Sequence, residues 1–216
     1  MAVIHHTTLT PTKLELLADW LPLQPWYVPT GRTATLAKAG GFRLDDPAGS
    51  VGIEFMVVTD QPDRAPVSYH VPLTYRGAPL AGAEHALIGR AEHGVLGPRW
   101  VYDGEHDPVL MAQLTEFLQG RVQAQAQSVS DTTDPTVVAS FTGTDLSSMD
   151  LHMVRQLEPS RGAAAVHDDH TIGHVEAGWR LPDGTAVRGR LVLVRDSTTT
   201  REVAESYADS AASGAR

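Results

Sequence analysis

Val67, Tyr69, Val71, Leu73 and Tyr75 are apolar at every second position, with Ser68, His70, Pro72 and Thr74 between them. A period of two admits a β-strand and excludes a helix, where residues on one face recur every three or four positions. The spacing predicts a half-buried antiparallel strand that turns its apolar set inward and presents Ser68, His70, Pro72 and Thr74 together on an outward face. Pro72 has no N–H to give to a ladder, so it belongs at an edge or a bulge. Ile53, Phe55 and Val57 repeat the alternation upstream, and the turn-rich Asp60–Pro66 stretch between the runs makes them a hairpin.

Two helices are legible by the same kind of reading. Thr10-Pro11 supplies a capping side chain and a first-turn proline, and Leu14, Leu17, Ala18 and Leu21 follow a 3.6-residue period that Pro22 and Pro25 end. The second begins at Asp107-Pro108, carries Leu110, Leu114, Phe117 and Leu118 on one face, and stops at Gly120. Further strands are expected over Thr136–Thr142, Met149–Glu158, Ile172–Leu181 and Thr185–Val194, the last two joined by Pro182-Asp183-Gly184. The polar stretch 125–135 reads as a linker, and 197–216, rich in Ser, Thr and Ala, as a polar tail.

Composition narrows the partners. A net charge of −9 argues against nonspecific nucleic-acid or anionic-membrane binding, both of which require a basic face. With no cysteine, disulfides and thiolate metal sites are excluded. Met1–Thr10 lacks the basic and apolar regions of a signal peptide, and no apolar run is long enough to span a bilayer, so the expected location is cytoplasmic.

The densest set of metal-ligand types is His167, Asp168, His170 and His174. Imidazole and carboxylate donors suit zinc or a similar ion if the segment curls, although mixed donors without a helical spacing more often mark an exposed loop. Trp26, Tyr27, Trp100 and Tyr102 offer rings on which a sugar could stack, provided they converge on one groove; otherwise they bury large apolar area. Asp45-Asp46 and the Glu105/Asp107 pair sit in turn-like contexts that capping and solvation explain. No Walker loop or G-x-S-x-G elbow is present.

The tract Asp19-Trp20-Leu21-Pro22-Leu23-Gln24-Pro25-Trp26-Tyr27-Val28-Pro29-Thr30-Gly31-Arg32 resembles the opening of the actinobacterial maltokinases, as do the two strands of the hairpin, Gly82-Ala83-Glu84-His85-Ala86-Leu87-Ile88-Gly89 and Trp100-Val101-Tyr102-Asp103. The resemblance implies an α+β fold: a curved antiparallel sheet with flanking helices over residues 1–124, then a smaller β-rich unit over 136–196 resembling a truncated kinase N-lobe. Members of that family carry Leu-Lys-Leu-Phe-Arg-Arg-Leu where this chain has Leu151-His152-Met153-Val154-Arg155-Gln156-Leu157. His152 therefore stands at the phosphate-holding lysine, with Thr142–Ser148 as the loop before it, and histidine lacks lysine's permanent charge. Val28-Pro29-Thr30 is a second departure, where the family is shorter.

The resemblance points to a noncatalytic regulatory or interaction module, a detached cap linked to maltose, trehalose or glycogen metabolism, with no cofactor and no catalytic residue. Its partner would be a sugar-metabolism enzyme or a sugar-derived ligand, met through His70, Thr74, Trp26, Tyr27 and Trp100. The other reading is an enzyme: a degenerate sugar phosphotransferase, or a metal-assisted hydrolase using the His167–His174 segment.

Overall fold

The computed structural model describes residues 9–61, 66–129, 131–143, 149–160 and 171–196. These residues form a mostly antiparallel sheet and two short helices. The strands are β1 (Leu9–Thr10), β2 (Leu36–Leu44), β3 (Val51–Asp60), β4 (Val67–Arg76), β5 (Leu87–His93), β6 (Gly97–Asp103), β7 (Gln125–Ala126), β8 (Val138–Phe141), β9 (Met149–Met153), β10 (Gln156–Leu157), β11 (Thr171–Arg180) and β12 (Ala186–Asp196); the helices are α1 (Lys13–Trp20) and α2 (Pro108–Leu118). The expected hairpin is β3–β4, paired in register from Val51↔Arg76 to Asp60↔Val67.

Both helices fall where their apolar spacing places them, but the cap of α1 differs from the expected Thr10. Thr12 accepts from the Glu15 N–H while the Glu15 carboxylate accepts from the Thr12 N–H, a reciprocal capping box. Asp107 caps α2 as its sequence implies, accepting from the Val109 N–H, and Gly120 takes φ +70° as the helix ends.

The strand pairings form a circuit. From β4 they run through β3, β2, β11 and β12 to β9, and β9 continues through Val154 and Arg155 into β10, which pairs back onto β4. The corner between β2 and β11 rests on Gly40 and Gly41. A Cβ on Gly40 would lie 2.8 Å from the Gly178 carbonyl oxygen, and one on Gly41, at φ +129°, would lie 2.2 Å from that of Phe55. Only glycine allows this approach and this backbone.

The circuit gives β3 and β4 two buried faces. One contributes Ile53, Phe55 and Val57 to a core with Phe42, Met153, Val175, Trp179, Val192 and, from α2, Leu110, Leu114 and Phe117. The other contributes Met56, Val58, Tyr69, Val71 and Leu73 to a second core under Leu17, Trp20 and Leu21. The stretch 125–135, expected to be a linker, includes β7, which pairs with β2 at Phe42↔Ala126 and Arg43↔Gln125.

The outward polar face expected on β4 does not exist. Val57↔His70 and Ile53↔Thr74 are opposite pairs, so His70 and Thr74 point with Ile53 and Val57 into the larger core, and both are fully buried. The alternation was read correctly; the side left to solvent was not, because the second half of the chain closes over it.

Candidate functional site

The feature that organises the polar residues is an interruption at Pro72. On the side of β4 away from β3, β10 pairs at Ser68 and Tyr69, the His70 N–H donates to the Arg155 carbonyl at 2.9 Å, and β6 takes over from Leu73. Alternate residues of a strand send their N–H groups to the same edge, so position 72, like 70, faces this side. A proline there has nothing to donate, and the ladder changes partner across it. The edge or bulge expected for Pro72 is realised as this gap.

Arg155 bridges the gap. Its Nη2 donates to both carboxylate oxygens of Asp103, at 2.9 and 2.7 Å, and to Glu105, while its guanidinium lies 5.2 Å from the Trp26 ring centroid. Gln156 donates from Nε2 to the Trp26 carbonyl at 2.6 Å. Arg155 and Asp103 are largely withdrawn from water, with side chains 10% and 7% exposed, and Glu105 is 34% exposed. Two successive residues thus tie Trp26, near the amino-terminal end, to the turn after β6. A planar guanidinium over an indole and between carboxylates is an arrangement lysine reproduces poorly.

His70 lies behind this cluster. Its ring is 5.9 Å from that of Phe55, nearly parallel at 14°, and neither ring nitrogen makes a hydrogen bond of ordinary geometry. Burial and then the Arg155 charge push its pKa down to about 3, against a smaller opposing effect of the Val154 and Leu191 carbonyls, so the ring is neutral near pH 7.

A second polar cluster lies under α1. Glu54, fully buried, accepts from Lys13 Nζ at 2.6 Å, the Tyr75 hydroxyl at 2.6 Å and Gln127 Nε2 at 2.7 Å. Burial alone would raise its pKa; the Lys13 charge and the three donors outweigh it and hold the carboxyl below its usual range. Tyr75 is pushed well up, by burial and then by the Glu54 charge. At the far end of β3, the Tyr27 hydroxyl donates to Asp60 at 2.8 Å, and Asp60 accepts from the Thr35 N–H at 2.9 Å. Each of these acids accepts its hydrogen bonds from donors of the protein itself.

The aromatic residues do not converge. Trp26 and Tyr27 pack on Tyr69, with centroids 5.9 and 5.6 Å away, whereas Trp100 pairs with Arg76 at the other end of β4. Seven residues of strand separate the two ends by roughly 23 Å. Tyr102 packs with Trp100 against Ala83 and Ala86, on the face opposite Tyr69. The four rings form no single groove.

Of the proposed metal ligands, His167, Asp168 and His170 lie outside the described residues, and His174 sits half-buried on β11 opposite Leu193. No three His, Asp or Glu side chains among the described residues gather closely enough to hold an ion. His152 is exposed on β9, opposite Leu193 of β12; most of the loop before it, 144–148, lies outside the described residues. The capping explanation holds for Asp46, which accepts from the N–H groups of Ala48, Ser50 and Val51, and for Asp107, which also pairs with Arg76 at 2.6 and 2.7 Å.

Sequence reasoning missed the Arg155–Asp103–Glu105–Trp26 cluster, whose members are spread over 130 positions and follow no local period. The one signal that points to it is Pro72: a proline inside an otherwise clean alternation marks where a ladder must break, and therefore where another group must fill the break.

Residues 20–107 match the family model of the maltokinase N-terminal cap domain. The match begins at Trp20, whose ring packs edge-on against Trp26, and ends at Asp107, the cap of α2. No curated protein matches the chain.

Proposed function

With residues 20–107 as a maltokinase N-terminal cap domain, we propose that this protein is a noncatalytic regulatory or interaction module of α-glucan metabolism, acting on a maltose-, trehalose- or glycogen-handling enzyme or on a sugar-derived ligand. The observation that carries the reading is the family match itself. The chemistry of the polar clusters supports it: Glu54, Asp60, Asp103 and Asp107 are all engaged by donors from the protein, which is how carboxylates behave when they hold a fold together. The β-rich remainder, read as a variant of the strands that open a kinase N-lobe, offers His152 on β9 where a phosphate-holding lysine would stand. Phosphoryl transfer depends on fixed positive charge and metal ions around the phosphates, and an imidazole is a poor substitute for the first. No helix among the described residues is long and apolar enough to cross a membrane.

The test has two arms. Calorimetric titration with ATP–Mg²⁺ and a coupled ADP-release assay with maltose and glucosamine should show neither saturable binding nor turnover. Immobilised protein should retain a purified maltose-, trehalose- or glycogen-processing enzyme from the same source. Micromolar ATP–Mg²⁺ binding with turnover would instead make the protein a degenerate sugar phosphotransferase.

A further inference from the structure

Two exposed histidines that play no part in the clusters above meet at the surface. His85 belongs to the single helical turn Glu84–Ala86 and His106 to the turn Gly104–His106, 21 positions later. Nε2 of His85 lies 3.4 Å from Nδ1 of His106, with ring centroids 4.7 Å apart and planes inclined at 79°. The backbone beneath both rings is anchored. Ala83 and Ala86 pack on buried Tyr102, whose hydroxyl accepts from the Leu80 N–H; Gly104 is buried against Leu110 and Pro72; and Asp107 is held by Arg76. The two turns are fixed while the imidazoles remain open to solvent.

We propose that His85 and His106 form a bidentate site for a late first-row divalent cation, with zinc as the reference ion. Two imidazole nitrogens at 2.0–2.1 Å from a tetrahedral zinc are about 3.4 Å apart, so the observed separation already matches the bite of the metal. Imidazole is a preferred donor for zinc, copper and nickel. In the metal-free pair, one facing nitrogen carries the proton that the other accepts. A cation takes a lone pair from each, so the donating ring moves its N–H to its other nitrogen through solvent, which both exposed rings can reach. Among the described residues no third His, Asp or Glu gathers at the pair; in the proposed site water completes the coordination and the bound ion is exchangeable. Its effect is to join the turn before β5 to the turn before α2, and acidification opposes it because protons compete for the same lone pairs.

The experiment is a Zn²⁺ titration of the full chain followed through the histidine ring resonances by NMR, repeated on His85→Ala and His106→Ala. The resonances of His85 and His106 are expected to shift together and saturate at one equivalent. Each substitution should weaken that transition at least tenfold while leaving the zinc-free melting temperature unchanged, since both side chains are exposed. Zinc that perturbs only the other histidines, or a transition of native affinity in either variant, would overturn the proposal.

Discussion

The Arg155 guanidinium and the Asp103 carboxylate meet across the break in the ladder of β4, with Nη2 2.9 and 2.7 Å from the two carboxylate oxygens. Pro72 creates the break by having no N–H to offer, and the ion pair closes it with side chains where backbone pairing is impossible. The contact joins residues inside the cap match to a segment well beyond it.

Arg155→Ala should destabilise the protein by roughly 3–5 kcal/mol, since it leaves Asp103 charged, withdrawn from water and without its partner. Glu105 is more exposed and its contact with Arg155 is screened, so Glu105→Ala should cost under about 1 kcal/mol. Urea denaturation of the two variants measures the difference; equal losses would show that the Asp103 pair has no special weight.

The two faces of β4 should both prove to be core. Tyr69→Ala should cost roughly 3–5 kcal/mol and His70→Ala roughly 2–4 kcal/mol, each by opening a cavity. His70→Leu keeps most of the volume and removes two buried polar atoms that lack hydrogen bonds, so it should stay within about 1.5 kcal/mol of the native protein or exceed it. Thermal melts in which His70→Ala is neutral would restore the outward face that alternation alone implies.

His70 also sets an acid dependence. Its pKa is about 3 in the folded chain against an ordinary value near 6.5, so between these values the unfolded chain binds more protons. The stabilisation from keeping the ring neutral is complete above about pH 6.5 and is lost as pH falls toward 3, with a slope of at most about 1.4 kcal/mol per pH unit. Glu54, Asp46 and Asp107, held below their usual range, lose their contributions only as pH falls through and below the ordinary carboxylate values near 4. Denaturation free energies between about pH 4.5 and 6.5 should therefore slope in the native protein and flatten in His70→Leu.

At the corner where β2 meets β11, Gly41→Ala should destabilise by about 3 kcal/mol or more, because the new methyl would overlap the Phe55 carbonyl at a backbone angle that L-residues avoid. Gly40→Ala should act by pushing β11 away from β2. Hydrogen exchange in that variant should rise on both strands while α1 keeps its protection; unchanged exchange in β11 would mean that the corner tolerates a side chain.

The sequence by itself determined the local elements and the membership of each face. Alternation over Val67–Tyr75, the apolar spacing of α1 and α2, Asp107 as a cap and Gly120 as a stop all act between residues a few positions apart, where backbone geometry leaves few choices. The capping box on Thr12 was equally open to reading, since Thr12 and Glu15 have the spacing that the motif requires. β2 was harder to see, because Gly40-Gly41 interrupts its apolar pattern. Only the tertiary structure decided which faces lie inside. Period two says that Ser68, His70, Pro72 and Thr74 lie together, but their burial depends on strands more than 80 positions later returning to pair with β4. It also decided that Arg155 would meet Asp103, and His85 would meet His106. Long-range pairing sets those encounters, and no local periodicity encodes them, because the energy that brings such residues together belongs to the sheet as a whole.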